Sequence, residues 1–182
     1  MRVTISGPPG SGKTTACSNL SKILGCRPAI FGQAFRELAV KKGVSVAELG
    51  AMAENDSSID REIDSVILQV ARDNDEIILE SRLSAYLTKR KDIDAFRIYI
   101  YASPEVRMKR ISAREGEEFE QACTKTLERE ESEAKRYMKH YGIDINDLSV
   151  YDLIINTDDM TPDEVIEKIL GAINDRNASE RS

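Results

Sequence analysis

Residues 7–14 read Gly-Pro-Pro-Gly-Ser-Gly-Lys-Thr, and few eight-residue strings restrict a fold so tightly. The pattern GxxxxGK[ST] makes physical sense as a turn whose backbone N–H groups all point inward at phosphate oxygens. Glycines at 7, 10 and 12 allow the backbone angles and the close approach that such a turn demands. The turn needs a strand to deliver the chain and a helix to carry it away, and the positive end of that helix strengthens the hold on an anion. Both flanks are present: Val3-Thr4-Ile5-Ser6 is a short strand, and Gly12 to Leu24 is a helical run stopped by Gly25. The binding segment is Gly7, Pro8, Pro9, Gly10, Ser11, Gly12, Lys13, Thr14 and Thr15. Lys13 is placed to reach β- and γ-phosphates, and the Thr14 hydroxyl to ligate Mg2+.

The rest of the chain repeats the alternation. Pro28–Phe31, Ile77–Glu80, Arg97–Ala102 and Asp152–Asn156 are short apolar runs, separated by helical patterns at 33–42, 46–54, 59–72 and 105–141. Ser103-Pro104 opens one helix and Thr161-Pro162-Asp163-Glu164 a last one to Leu170, with Gly116 breaking the long charged stretch. Five apolar strands divided by helices predict a parallel sheet covered on both faces: one α/β domain with no internal repeat. The all-helical stretches 32–75 and 105–141 are longer than crossovers need, so each is expected to carry an insert. The tail from Asn174 to Ser182 is polar and expected to fray.

Charge narrows the class further. Among 182 residues, 26 Lys+Arg against 32 Asp+Glu give a net charge of -6, which argues against a protein that coats nucleic acid by bulk electrostatics. Small anions remain admissible, because a few local donors hold them. No stretch approaches the roughly 18 apolar residues of a membrane span, and no signal peptide opens the chain, so a cytoplasmic location is expected. Cys17, Cys26 and Cys123 are odd in number and lack CxxC spacing, so they read as small apolar filler.

A phosphate turn alone does not choose between kinase, switch GTPase and motor ATPase. No NKxD guanine motif is present, and the strand 77–80 ends in the single carboxylate Glu80 rather than an acidic pair. A carboxylate at a strand's carboxyl end faces the ligand crevice of an open α/β sheet, where Glu80 can hold Mg2+ through water. Arg82, two residues on, is placed to meet a second anion. If the acceptor is itself a phosphate, its oxygens are already ionised and no general base is required. That agrees with a single histidine, His140, which reads as a solvated helix residue. Arg107, Arg110 and Arg114 share one helix face, as do Arg129 and Arg136. Arginine suits planar phosphate contacts, but equally dense acidic neighbours make a salt-bridged, solvated helix the other reading of these spacings.

The order of these pieces resembles the nucleoside monophosphate kinases, and within them the cytidylate kinases of the archaeal type. The matching stretches are Gly32-Gln33-Ala34-Phe35-Arg36, Ile59 to Asp64, Leu79-Glu80-Ser81-Arg82-Leu83, Glu128 to Tyr137, Tyr141 to Asp144 and Ser149 to Ile155. Together they span roughly residues 1–171. Ser81 and Tyr86 depart from the family pattern, which has Gly and Trp there.

The resemblance implies a five-stranded parallel core with a monophosphate-binding insert at about 32–75 and a lid near 112–126, residues 172–182 being a polar tail. It implies transfer of the γ-phosphoryl group of ATP to CMP or dCMP, with Mg2+. On this reading Lys13 and Thr14 hold ATP·Mg2+, and Arg36 and Arg82 hold the acceptor's phosphate. Arg110, Arg129 and Arg136 close on the transferring group, and Asp60, Arg61 and Asp64 line the base pocket. An exposed helix face is the other reading of those last three. The expected partners are small nucleotides alone, with no nucleic acid or membrane, for a monomeric enzyme. The competing functions are an adenylate kinase-like enzyme and an ATPase that regulates a macromolecular partner.

Overall fold

The computed structural model describes residues 1–179. Its element order is β1 (Arg2–Ser6), α1 (Lys13–Leu24), β2 (Arg27–Ile30), α2 (Ala34–Lys42), α3 (Val46–Asn55), α4 (Ser58–Asp73), β3 (Ile77–Glu80) and α5 (Ser84–Arg90). There follow β4 (Phe96–Tyr101), α6 (Pro104–Glu115), α7 (Phe119–Tyr141), β5 (Leu153–Asn156) and α8 (Pro162–Ser179). The strands form one sheet in the order β2-β3-β1-β4-β5, and every neighbouring pair is parallel. This is the α/β fold that the unalternating apolar strands predict.

Burial explains the layers. Val3 and Ile5 of β1, Ile78 of β3, and Ile98 and Ile100 of β4 pack in one cluster with Ala16, Cys17 and Leu20 of α1 and Ile166, Ile169 and Ile173 of α8. Each fully buried aliphatic side chain contributes about 2 kcal/mol by removal from water. Cys17 is inert filler, its thiol pushed up to about 12 mainly by burial. A second cluster joins Ile67 of α4, Tyr86 and Leu87 of α5, Tyr137 of α7 and Ile143. Helices α2 to α4 hold a separate small core of Ala39, Leu49, Ala53 and Ile59, and α6 and α7 another of Met108, Ile111 and Ala122.

The caps follow the sequence signals. Ser45 and Glu48 form a capping box at the start of α3, Ser103 caps α6 ahead of Pro104, and Gly116 ends α6 at φ 68°. Three expectations need correction. The stretch after Arg82 contains a helix, α5, that the period failed to signal because its first five residues are all buried. Helix α8 does not fray from Asn174; it runs to Ser179, anchored by the buried Ile173, while residues 180–182 of the expected tail lie outside the described residues. His140 is half-buried rather than solvated, its Nε2 2.8 Å from the Ala53 carbonyl of α3.

Candidate active site

The turn between β1 and α1 adopts the backbone its glycines permit: φ is 149° at Gly7, 79° at Gly10 and 96° at Gly12. Side chains are barred there by contact as well as by angle. A Cβ on Gly7 would lie 1.9 Å from the Ile100 carbonyl oxygen, and one on Gly10 would lie 2.7 Å from that of Arg107. Helix α1 begins at Lys13 with Gly12 as its N-cap and no side-chain cap, so its first N–H groups remain available to an anion. The half-buried Lys13 folds back over the turn, its Nζ donating to the Pro8 carbonyl at 2.9 Å. Burial pulls its ammonium down to about 8, with Glu80 opposing. Thr14 and Thr15 are exposed in the first turn of α1.

Glu80 ends β3 beside this turn and is 1% exposed. Its Oε2 accepts from the Thr14 hydroxyl at 3.2 Å. The chain crosses in front of the carboxylate at Gly32, where a Cβ would stand 2.9 and 3.0 Å from its two oxygens. Among the described residues no group of three or more His, Cys, Asp or Glu can hold an ion alone. That donor set fits Mg2+, which takes one or two protein oxygens and draws the rest from water and nucleotide phosphate. Ser81, next in sequence, turns away from the pair: its Oγ accepts from the Leu83 amide at 3.2 Å.

Opposite the turn, α7 brings three side chains to one stripe at i, i+4 and i+7: Arg129, Glu133 and Arg136. Glu133 is 4% exposed and accepts from Arg82 Nε and Arg129 Nε, each at 2.8 Å. Burial alone would raise its carboxyl, but Arg82 and then Arg129 overcome that and hold it at about 2. Arg136 is 2% exposed, donates to Asp60 Oδ2 at 2.8 Å and to Ser132 Oγ at 2.9 Å, and lies over the Phe35 ring at 4.8 Å. The solvated-face reading of these arginines is therefore excluded.

Two hollows share Phe35, Arg129, Glu133 and Arg136 as walls. The larger, about 490 Å³, runs between the α2–α3 pair and the α6–α7 pair and includes Pro9, Arg36 and Ser132 in its lining. Across it Arg36 Nη1 meets Glu115 Oε1 at 3.4 Å. The smaller, about 50 Å³, lies over Asp60, Asp64, Ser81, Arg82 and Tyr137.

Two expected residues sit elsewhere. Arg61 is exposed and lines neither hollow. It occupies the outer face of α4, one residue past the buried Asp60. Arg110 is apart from Arg82 and Arg129, on the far side of the phosphate turn. It donates to the Thr157 carbonyl at 2.7 Å and hydroxyl at 3.1 Å, and reaches the Gly10 carbonyl at 3.5 Å.

Glu133 and Thr157 escape the sequence reading, and Arg107 is marked there only by its spacing with Arg110 and Arg114. Arg107 Nη1 donates to the Pro9 carbonyl at 3.0 Å and to Glu130 Oε1 at 2.6 Å, tying the phosphate turn to α7. The Thr157 hydroxyl donates to the Ser11 carbonyl at 3.1 Å. Glu133 is one glutamate in a helix full of them, and only its spacing between two arginines marks it. Thr157 follows the carboxyl end of β5, the rim where such sheets bind ligands, and that rule would have found it.

The arrangement offers two anion sites side by side: a backbone cradle with Lys13, Thr14 and Glu80, and an arginine cluster backed by a recess with two carboxylates. The Cytidylate kinase-like family profile matches residues 2–159. The chain is 46% identical over 172 residues to the cytidylate kinase of Sulfurisphaera tokodaii, covering 94% of each. It is 42% identical over 173 residues to that of Archaeoglobus fulgidus, covering 95% of this chain and 94% of the other. In fold it is similar to the shikimate kinase of Bacteroides thetaiotaomicron, with a TM-score of 0.62, 14% identity and coverage of 96% and 98%.

Proposed function

The chain belongs to the cytidylate kinase-like family, and from that premise we propose that it transfers the γ-phosphoryl group of ATP to CMP or dCMP. The observation that carries this reading is the pairing just described, a phosphate cradle at Lys13 facing the cluster of Arg82 and Arg129. ATP lies with its phosphates in the turn from Gly7 to Thr15, where backbone N–H groups and Lys13 neutralise the transferring end. Thr14 directly, and Glu80 through water, would hold Mg2+, which would offset the charge that develops on the transferring phosphoryl group. The acceptor's phosphate takes up Arg36 and Arg82, and Arg129 spans both phosphates at the moment of transfer. No side chain has to remove a proton, because the attacking oxygen is already ionised. Positioning and fixed positive charge do most of the catalysis for such a loose transition state.

The acceptor's base enters the recess beside Asp60 and Asp64, with Arg136 and Phe35 forming one wall. Residues 32–75 act as the monophosphate-binding insert and 112–126 as the lid of a domain spanning 1–171. The separate small core of Ala39, Leu49, Ala53 and Ile59 supports that division for the first part of the insert, and Ala122 of the lid packs on Met108 and Ile111 of α6 rather than on the sheet. Closure excludes water that would otherwise take the phosphoryl group. On this reading the partners are nucleotides only, and the enzyme works as a monomer in the cytoplasm. Among the described residues, no helix is long and apolar enough to cross a membrane.

The test is a coupled ADP-release assay with ATP, Mg2+ and, separately, CMP, dCMP, UMP and AMP. CMP and dCMP should turn over fastest. Faster turnover of AMP, or sustained ATP turnover with no monophosphate present, would overturn the assignment.

A further inference from the structure

The recess at the inner end of the site contains two aspartates of α4 that the bonding pattern makes unequal. Asp60 is spent: both its oxygens face the Arg136 guanidinium, at 2.8 and 3.4 Å. Asp64, one turn further along α4, is 9% exposed and uses only Oδ2, which accepts from the Tyr141 hydroxyl of α7. Its Oδ1 takes no hydrogen bond among the described residues, and Asp64 lines the recess with Ser81, Arg82 and Tyr137. The recess therefore offers a base one uncommitted carboxylate oxygen, with the rest of that carboxylate fixed.

Chemistry says what such an oxygen reads. Cytosine and uracil differ at position 4, where cytosine has an amino donor and uracil a carbonyl acceptor. A bare oxygen accepts from the amino group and repels the carbonyl, whereas a protonated one does the reverse. Resting on the reading of this site as a pyrimidine monophosphate kinase, we propose that Asp64, oriented by Tyr141, is the residue that separates cytosine from uracil, and that its proton sets the preference.

The surroundings poise that proton. Burial raises the Asp64 carboxyl to about 7, opposed first by the Tyr141 hydrogen bond, with Asp60 adding to the rise and Arg136 opposing it. The other charged or titratable groups nearby are Arg61 of α4, Glu133 and Tyr137 of α7, and Arg82 after β3. Arg82 and Glu133 are bound to each other. Tyr137 is buried, and burial pushes its phenol far up, so it stays neutral. Arg61 is exposed. Arg82 and Tyr137 are shifted up and Glu133 down, away from neutrality, which leaves Asp64 as the group placed near it.

The experiment uses the whole enzyme with ATP and Mg2+, and gives CMP and UMP together as competing acceptors from pH 6 to 9. The ratio of their kcat/KM values cancels every titration common to both, including the acceptor phosphate and Lys13. If each protonation state of Asp64 serves one base, the CMP:UMP ratio rises about a hundredfold between pH 6 and 8. The midpoint is read in the separate kcat/KM profiles, where CMP rises and UMP falls about an ionisation near 7. In Asp64→Asn, Tyr141 holds the amide oxygen and turns the NH2 toward the base. The ratio should then be flat with pH and about tenfold or more lower at pH 8. Tyr141→Phe removes a donor to the ionised form and should move the midpoint upward.

A carboxylate that only braced α7 would change stability in these variants without altering the slope of the ratio. A flat ratio in the native enzyme, no UMP turnover at pH 6, or Asp64→Asn keeping the native ratio and slope would each overturn the proposal. If Asp64→Asn does not fold, the native profile and Tyr141→Phe decide. Absence of transfer to any pyrimidine monophosphate would overturn the reading of the site on which this rests, and the proposal with it.

Discussion

Glu133→Gln should cost the protein about 3 kcal/mol of stability at neutral pH. Glu133 is 4% exposed and receives two guanidinium Nε–H bonds of 2.8 Å, from Arg82 and Arg129. Those partners lower its carboxyl from 4.5 to about 2, and at about 1.4 kcal/mol per pKa unit the difference is worth roughly 3 kcal/mol. Breaking a buried pair from one side typically costs 3–5 kcal/mol, so two independent routes agree. The amide in place of the carboxylate can accept from one guanidinium but points its own NH2 at the other.

The sign with pH is fixed. The folded pKa lies below the unfolded one, so the contribution is complete above about 4.5 and is lost as pH falls toward 2. Urea unfolding of native and variant proteins from pH 7 to pH 3 measures this directly. The gap should shrink from about 3 kcal/mol to about 1 kcal/mol across that range. A gap under about 1 kcal/mol at pH 7, or one that does not change with pH, would refute the reasoning.

Arg129→Ala should lower kcat at least about tenfold, with little change in ATP binding measured by titration calorimetry, because Arg129 acts where charge develops. Arg136→Ala should also lose kcat by at least about tenfold, and in addition lower the urea midpoint, since it leaves Asp60 buried and unpaired. Gly32→Ala forces a methyl to within 2.9 Å of the Glu80 carboxylate. It should raise the Mg2+ concentration needed for half-maximal rate while leaving CMP affinity nearly unchanged. Lys13 sits near 8 in the free protein, and phosphate beside it favours the charged form. ATP binding above pH 8 should therefore take up a proton, seen as heats that vary with the ionisation enthalpy of the buffer; Lys13→Met should abolish that uptake and most of the transfer.

The sheet was legible because its signal is local and redundant. Five apolar runs each carry a strand's length and composition, and the glycine turn fixes which of them comes first. Helix α5 was not legible, because five consecutive buried residues leave a short helix no polar face to reveal a period. The same limit applied at the site. Lys13, Thr14 and Glu80 could be read from motif and strand end, since backbone geometry alone brings them together. Arg129 and Arg136 could not be separated from a solvated helix, because what distinguishes them is a partner far away in the chain: Asp60 lies 76 residues before Arg136, and Arg82 51 residues before Glu133. Arg61 and Asp60 show the finest limit. They are adjacent in sequence, and only the packing of α4 turns one inward and the other to water.

Helix α7 is a rigid arm as well as a row of arginines. Its 23 residues run unbroken from Phe119 to Tyr141, a length of about 34 Å at 1.5 Å per residue. The carboxyl end is pinned to α3 by Lys139 on the Glu54 carbonyl and His140 on the Ala53 carbonyl, and to α4 by Tyr141 on Asp64. At the other end the chain turns at Gly116, where a Cβ would meet nothing within 4 Å. A swing of about 5° about the pinned end carries the tip at Phe119 through about 3 Å on an arm of that length. On the proposed function, a shift of α4 around a base would reach the far end of the site, over the phosphates of the other nucleotide, only with movement at Arg82–Glu133 and Arg107–Glu130, the two ion pairs that hold the middle of α7.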